Sequence, residues 1–322
     1  MLQLHGDMKT TDKIDGYQVE KLCAGNMGDV EKLHTAVYGA KPAPNFFSAK
    51  YDTAFAGIRH VGFIAYTDQR APIAFYAVIP CFIRFRDKVV LAAQSADTMT
   101  HPDFRNKGLF VNLADLTFQH CRNAGIRLVF GFPNQNSLPG FINKLGWQLT
   151  ERMDCFIIRT AFPWKKIFGK FPFLKNGFAA YRKNLLKKYC IDKHGLENSV
   201  FDDGFAGVHR DHHFRKYKSY TDTCVIKIGE AELWVKVNGI LLIGDLAVQP
   251  REFMEMMSQL KSLASALGIK EIHFHSSPGT TLHSLFAKNY TAVPSFPVIF
   301  RVLGEHERSE NIKFTAADID TF

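Results

Sequence analysis

The stretch from Asp97 to Phe110 holds the residue types with the most chemical use: an acid, a histidine and a basic turn that ends in glycine. Asp97 stands at the end of an apolar run, where a carboxylate is costly unless it is paired or solvated. It could take a proton from a nucleophile, and it could equally cap a turn or pair with a cation. His101, just before Pro102, could relay a proton or sit as a solvated loop histidine. The turn Pro102-Asp103-Phe104-Arg105-Asn106-Lys107-Gly108 precedes a helical pattern. Free backbone N–H groups converge at such a helix start and the helix dipole favours an anion there, so the turn can hold a pyrophosphate. Arg-x-x-Gly alone carries little information, and its place between a strand and a helix is what gives it meaning. The polar run Asn134–Ser137 also follows a strand end, where it can meet a ligand or simply turn the chain. The last residues, with Asp318, Asp320 and the terminal carboxylate of Phe322, offer either a base or a frayed end.

Hydrophobic periodicity supplies the elements that position these groups. Tyr17–Leu22 reads as a strand and Gly25–Tyr38 as a helix, with Met27, Val30, Leu33, His34 and Val37 at helical spacing. A second helix is expected over Phe46–Gly57. The period then changes to two: Val61–Thr67, Ile73–Phe85 and Val89–Thr100 form an antiparallel meander. Leu109–Asn123 is a helix ended by Gly125, Arg127–Phe132 a strand, Leu138–Leu145 a short helix and Gln148–Arg159 a last strand.

The second half repeats part of this order. Ala231–Val237 and Ile240–Val248 flank Asn238-Gly239, a pair suited to a type I′ hairpin turn. A helix Arg251–Leu267, a strand Lys270–His275, a helix Thr281–Lys288 and a strand Phe296–Leu303 follow. Asp97–Pro102 answers to Asp245–Pro250, and Gly125-Ile126-Arg127 to Gly268-Ile269-Lys270, which points to a diverged duplication. No glycine-rich loop follows Pro250, so the second half should not bind the same ligand. The expected division is 1–160, a basic connecting segment 161–220, and a degenerate second domain 221–322.

At 322 residues the chain exceeds the usual span of one core, which agrees with two domains. Its 46% hydrophobic and 22% charged residues exclude a disordered chain. The longest apolar runs fall short of the ~20 residues that cross a bilayer, and Met1–Lys13 lacks the apolar core of a secretory signal. The six cysteines show no paired CxxC spacing, so no metal site and reduced thiols are expected, in keeping with a cytoplasmic location. Between Arg159 and Tyr220 there are 14 Lys/Arg against 5 Asp/Glu, while the remainder has 26 of each. The basicity therefore belongs to the connecting segment, whose helical stripe Phe178, Tyr181, Leu185 and Tyr189 fits a linker helix or a peripheral contact with an anionic membrane.

With Thr100-His101-Pro102-Asp103-Phe104-Arg105-Asn106-Lys107-Gly108-Leu109-Phe110, Asn134 and the ending Lys144-Leu145-Gly146-Trp147 in view, the chain resembles the GNAT superfamily of N-acetyltransferases over about Tyr17–Arg159. The resemblance implies an α/β fold with two GNAT-like domains, each a mixed, mostly antiparallel sheet flanked by helices. It implies acetyl-CoA or another short acyl-CoA held by Thr98, Met99, Thr100, Arg105, Asn106, Lys107, Gly108, Leu109, Phe110 and Asn134. Two positions depart from the pattern. Phe110 replaces a small residue of the loop, and Ile142 stands where many relatives carry the Tyr that protonates the departing thiolate. Acid–base work then falls to Asp97, His101, or the tail with Asp320 and Phe322, by analogy with multi-domain relatives whose terminus enters the site.

The leading expectation is an N-acyltransferase acting on a primary amine of a small metabolite or sugar, with no nucleic-acid partner. The alternatives are a non-catalytic module that senses acyl-CoA or binds an acidic polymer, and a Fem-like transferase using aminoacyl-tRNA. In the last of these the basic segment would meet tRNA phosphates.

Overall fold

Alternating apolar residues build the sheets of this protein, and helices at a period near 3.6 cover them. The structure, a computed structural model, describes residues 11–14, 16–86, 88–161, 174–304 and 311–322. The aromatic and basic run from Trp164 to Phe173 lies outside the described residues. The chain divides into two compact units: Met1–Phe82 with Val90–Leu149 and Ile299–Ser309, and Ile83–Val89 with Thr150–Val298 and Glu310–Phe322.

In the first unit the elements are Thr11–Ile14 (β1), Tyr17–Lys21 (β2), Met27–Tyr38 (α1), Phe46–Tyr51 (α2), Gly62–Tyr66 (β3), Pro72–Phe85 (β4), Lys88–Thr100 (β5), Leu109–Asn123 (α3), Leu128–Gly131 (β6) and Leu138–Leu145 (α4). The strands lie in the order β1-β2-β3-β4-β5-β6. β1 to β4 pair antiparallel, whereas β6 runs parallel to β5, from Ala92↔Leu128 to Ser95↔Gly131. A parallel neighbour needs a crossover, and α3 supplies it. The sheet ends on Ile299–Val302, which pairs antiparallel with β6 and comes from far along the chain. α3 buries Leu113, Phe118 and Cys121 against Val78 and Val129, with Phe141 of α4 and Trp147 in the same cluster. The expected helix over Phe46–Gly57 stops at Tyr51, with a single 3-10 turn at Ala54–Ala56.

The second unit holds Gln148–Arg159 (β7), from Thr150 onward, then Leu174–Lys187 (α5), Cys190–Ile191 (β8), Gly207–Val208 (β9), His212–Tyr217 (α6), Thr223–Ile228 (β10), Ala231–Asn238 (β11), Ile240–Ala247 (β12), Phe253–Ala266 (α7), Glu271–Ser276 (β13), Thr281–Ala287 (α8) and the first part of Ala292–Val302 (β14). Its order is β7-β13-β12-β11-β10-β8. Here too a hairpin, β11–β12, leads through a helix to a parallel strand, β13. β13 then pairs antiparallel with β7, from Glu271↔Arg159 to Ser276↔Asp154. Each unit thus takes a terminal strand from the other half of the sequence. α7 turns Phe253, Met256, Met257, Leu260 and Leu263 into this unit's core. α5 packs Leu185 and Leu186 against that core and leaves Tyr181 half-exposed.

The β11–β12 turn forms without the expected type I′ geometry. Asn238 pairs with Ile240, and of the two turn residues only Gly239 has a positive φ, +74°. A single glycine in the left-handed region closes this hairpin, so Asn238 stays extended.

Candidate active site

β5 carries the site because its pairing with β6 stops early. The last parallel pair is Ser95↔Gly131, yet β5 continues to Thr100, so the strand's end runs on with no β6 beside it. Asp97 sits in this stretch with φ +50°, which kinks the strand. His101 N–H donates to Ile73 O at 2.8 Å and ties the strand end back to β4.

A 3-10 turn, Pro102–Phe104, then leads into the loop. Asn106 (φ +62°) and Gly108 (φ +74°) both take left-handed backbone, and Gly108 caps the start of α3. That conformation costs a residue with a Cβ about 1–2 kcal/mol, so glycine is the fitting choice at 108. Val111 and Asn112 N–H both close on Gly108 O. The Leu109 and Phe110 N–H groups lie in the first turn, where a helix has no carbonyl a turn earlier to receive them.

The splayed strand end, the loop and the start of α4 enclose a cavity of about 410 Å³. Thr98, Met99, Thr100, Arg105, Asn106, Lys107, Gly108, Leu109, Phe110 and Asn134 all line it. Arg105, Lys107 and Lys144 put positive charge along the wall, which suits a phosphate-bearing ligand. Asn134 Oδ1 accepts the Asn136 and Ser137 N–H groups at 2.9 and 3.0 Å, so its carbonyl shapes the turn and its amide nitrogen is what it offers the cavity. The Phe110 ring lies 5.4 Å from Phe141 and 6.0 Å from Tyr76, which joins it to the aromatic cluster under the loop.

The proton-transfer candidates fall in different surroundings. Asp97 Oδ2 is 2.6 Å from Lys50 Nζ and accepts the Tyr51 hydroxyl at 2.9 Å. Lys50 is 1% exposed, so the carboxylate is the counter-ion of a buried ammonium. His101 Nδ1 accepts the Asp103 N–H at 3.4 Å and does not line the cavity. Ile142 packs with the apolar cluster of the first unit.

The tail is folded into the second unit. Phe322 is buried with its ring 5.3 Å from Trp234 and pressed against Gly244, where a Cβ would overlap it. The carbonyls of Ile319, Asp320 and Thr321 accept from Lys218 Nζ, Tyr220 Oη and Lys236 Nζ at 2.7, 2.7 and 2.6 Å. Asp318 and Asp245 flank the buried Arg210, which also donates to Thr315. Burial raises the Asp318 pKa from the ordinary carboxylate value, against the opposing pull of Arg210. A frayed end is excluded by this packing.

Tyr38 is the residue that sequence reasoning missed. It ends α1 and lines the cavity beside Val37. Desolvation first, then the nearby Asp97 carboxylate, raise its pKa above the ordinary tyrosine value, with Lys50 and Arg105 pulling the other way. Helical spacing marked Val37 as inward-facing and gave no reason to single out its neighbour.

A family model described as an acetyltransferase (GNAT) domain matches residues 19–150. Solved structures share the fold at low identity. A GCN5-related N-acetyltransferase from Kribbella flavida aligns with a TM-score of 0.58 at 12% identity, covering 91% of this chain and 71% of its own. One from Anabaena variabilis gives 0.54 and 12%, covering 89% and 73%. A protein from Pyrococcus horikoshii gives 0.57 and 11%, covering 95% of this chain and 96% of its own. No curated protein matches. The match over residues 19–150 marks that stretch as similar to a GNAT acetyltransferase domain, and domains of this kind generally use acyl-CoA as co-substrate. No helix among the described residues is long and apolar enough to cross a membrane.

Proposed function

We propose that this chain transfers a short acyl group, acetyl in the first instance, from CoA to a primary amine of a small metabolite or sugar. The observation that carries the reading is the cavity on the splayed end of β5, lined by all ten residues that the family resemblance assigns to the cofactor. In this reading the pyrophosphate rests on the Arg105–Phe110 turn, where first-turn N–H groups and basic side chains meet it. The pantetheine arm extends β5 as an added strand along Thr98–Thr100. The amine nitrogen attacks the thioester carbon and gives up a proton to water, a C–N bond forms, the C–S bond breaks and the thiolate leaves. A backbone N–H at the strand end stabilises the developing oxyanion without reorganising.

The thiolate must receive a proton, and Ile142 cannot give one. Tyr38 fits this role: it lines the same cavity and, like any tyrosine, carries its hydroxyl proton at neutral pH. Asp97 is better suited to holding Lys50 and Tyr51, and the buried ring of Phe322 supports a packing role for the tail. A cytoplasmic location goes with a CoA-dependent activity. The test is an acceptor-amine screen that reads thiol release from acetyl-CoA, followed by Tyr38→Phe. The reading expects kcat to fall about 10²- to 10⁴-fold, the usual worth of a general acid, with acetyl-CoA binding unchanged. Undiminished kcat in Tyr38→Phe would remove Tyr38 from the chemistry. Absence of acetyl-CoA binding would overturn the whole reading.

A further inference from the structure

The sheet of the second unit carries a cluster of soft and borderline metal donors that the acyl-transfer reading does not use. β7 and β13 pair antiparallel with His275 opposite Cys155. Side chains of directly opposed residues leave the sheet on the same face, and His273, two residues away, shares it. One donor atom each of Cys155, His273 and His275 lies within 4.8 Å of the others. Cys155 Sγ and His275 Nε2 are 3.6 Å apart.

That separation matches a metal site. Two ligands on a tetrahedral zinc, with bonds of about 2.3 Å to sulfur and 2.0–2.1 Å to nitrogen, stand about 3.6 Å apart. The histidines are also oriented from outside the cluster. His275 Nδ1 is 2.7 Å from Ser295 Oγ, and in the tautomer where Nδ1 donates, Nε2 keeps its lone pair toward Cys155. His273 Nε2 is 3.0 Å from Glu271 Oε2, the carboxylate–histidine pairing that accompanies metal-bound imidazoles. Asp154, beside Cys155, is itself held by His283 at 2.9 Å. Glu271 on the cluster's face and Asp154 on the opposite face both place negative charge near the buried Cys155 thiol, which favours a bound cation.

We propose that Cys155, His273 and His275 form a zinc site on the second unit, with water in the fourth position. A donor set of one thiolate and two imidazoles selects zinc over the hard cations magnesium and calcium. Binding exchanges the Cys155 thiol proton for the metal, so one proton is released per zinc bound. The site staples β7 to β13, joining residues more than a hundred positions apart in sequence.

The test titrates the purified full-length chain with cobalt(II), whose bond to a thiolate gives a charge-transfer absorption band, and then displaces it with zinc(II). The expected result is one cobalt per chain with that band, displaced by one zinc equivalent. The band should vanish in Cys155→Ser, and cobalt affinity should fall in His273→Gln, a half-buried position where folding is least at risk. Ser295→Ala, which removes only the outer partner of His275, should weaken binding about 10- to 100-fold. No thiolate band in the parent, or a band that survives Cys155→Ser and so belongs to another cysteine, would overturn the proposal. Circular dichroism on each variant separates loss of metal from loss of fold.

Discussion

Replacing Asp97 with asparagine removes the carboxylate that lies against the buried Lys50 ammonium, and the consequence is measurable. Lys50 Nζ lies 2.6 Å from Asp97 Oδ2, the lysine side chain is 1% exposed and the aspartate 19%. Removing one partner of a buried pair costs about 3–5 kcal/mol, because the remaining ion has lost its compensation in a poorly solvated place. Partial exposure of Asp97 sets the expectation at the lower end, on the order of 3 kcal/mol. For a unit of roughly 150 residues each kcal/mol moves Tm by about 2–4 °C, so the transition of the first unit should fall by about 6–12 °C. The Tyr51 hydroxyl keeps a partner in Asp97→Asn, which confines the loss to the charge. Lys50→Met combined with Asp97→Asn removes both charges and should recover to within about 1 kcal/mol of the parent. Thermal and urea unfolding of the single and double variants provide the cycle. A single variant that loses under ~1 kcal/mol, or a double variant as unstable as the single, would refute the ion-pair argument. A double variant that folds like the parent yet has lost turnover would return Asp97 to the chemistry.

Other outcomes follow from the same surroundings. Burial lowers the His120 pKa, and its Nε2 is buried without a partner among the described residues, so the folded chain resists its protonation while the unfolded chain does not. Stability from this group is therefore complete above the ordinary histidine pKa of 6.5 and declines as pH falls below it; His120→Gln should flatten that part of the pH–stability curve. Burial pushes the Cys121 thiol up to about 12, whereas Cys23 is exposed. At pH 8 a disulfide reagent should label Cys23 quickly and Cys121 only on unfolding; equal rates in the folded protein would contradict the burial described. Gly244→Ala should destabilise the second unit and loosen its tail, because the new Cβ overlaps the Phe322 ring; an unchanged Tm with Phe322 still protected would count against that packing.

Local pattern made much of the first unit legible. Leu109–Asn123 and Leu138–Leu145 match their expected bounds because each is a self-contained amphipathic stripe with its own end signals. The loop residues are legible for the same reason: strand, turn and helix are neighbours in sequence, so nine of the ten expected residues line one cavity, and Asn134 joins them from the loop after β6. What escaped depends on partner choice. Nothing in the sequence links Lys50 to Asp97, Arg210 to Asp318, or Cys155 to His275, since strand pairing and core packing bring those partners together. The exchange of terminal strands was hidden in the same way, because β7 and β14 read as the closing strands of their own halves. Thr223–Ile228 alternates as a strand should, yet its pairing with Cys190–Ile191 joins segments that no local pattern connects.

Calorimetric titration of acetyl-CoA into the parent and Gly108→Trp decides whether the turn from Arg105 to Phe110 binds the pyrophosphate of CoA. Gly108 has φ +74° at the start of α3, so a bulky residue both strains the backbone and blocks the approach to phosphate. The strain, about 1–2 kcal/mol, burdens the free and bound forms alike and lowers stability, whereas the indole in the phosphate's path is what weakens binding. The parent should bind acetyl-CoA saturably and one-to-one, with similar affinity for free CoA, and a variant whose circular dichroism is unchanged should bind at least about tenfold more weakly. Equal affinity in the two proteins would contradict this assignment and send the cofactor to another part of the molecule.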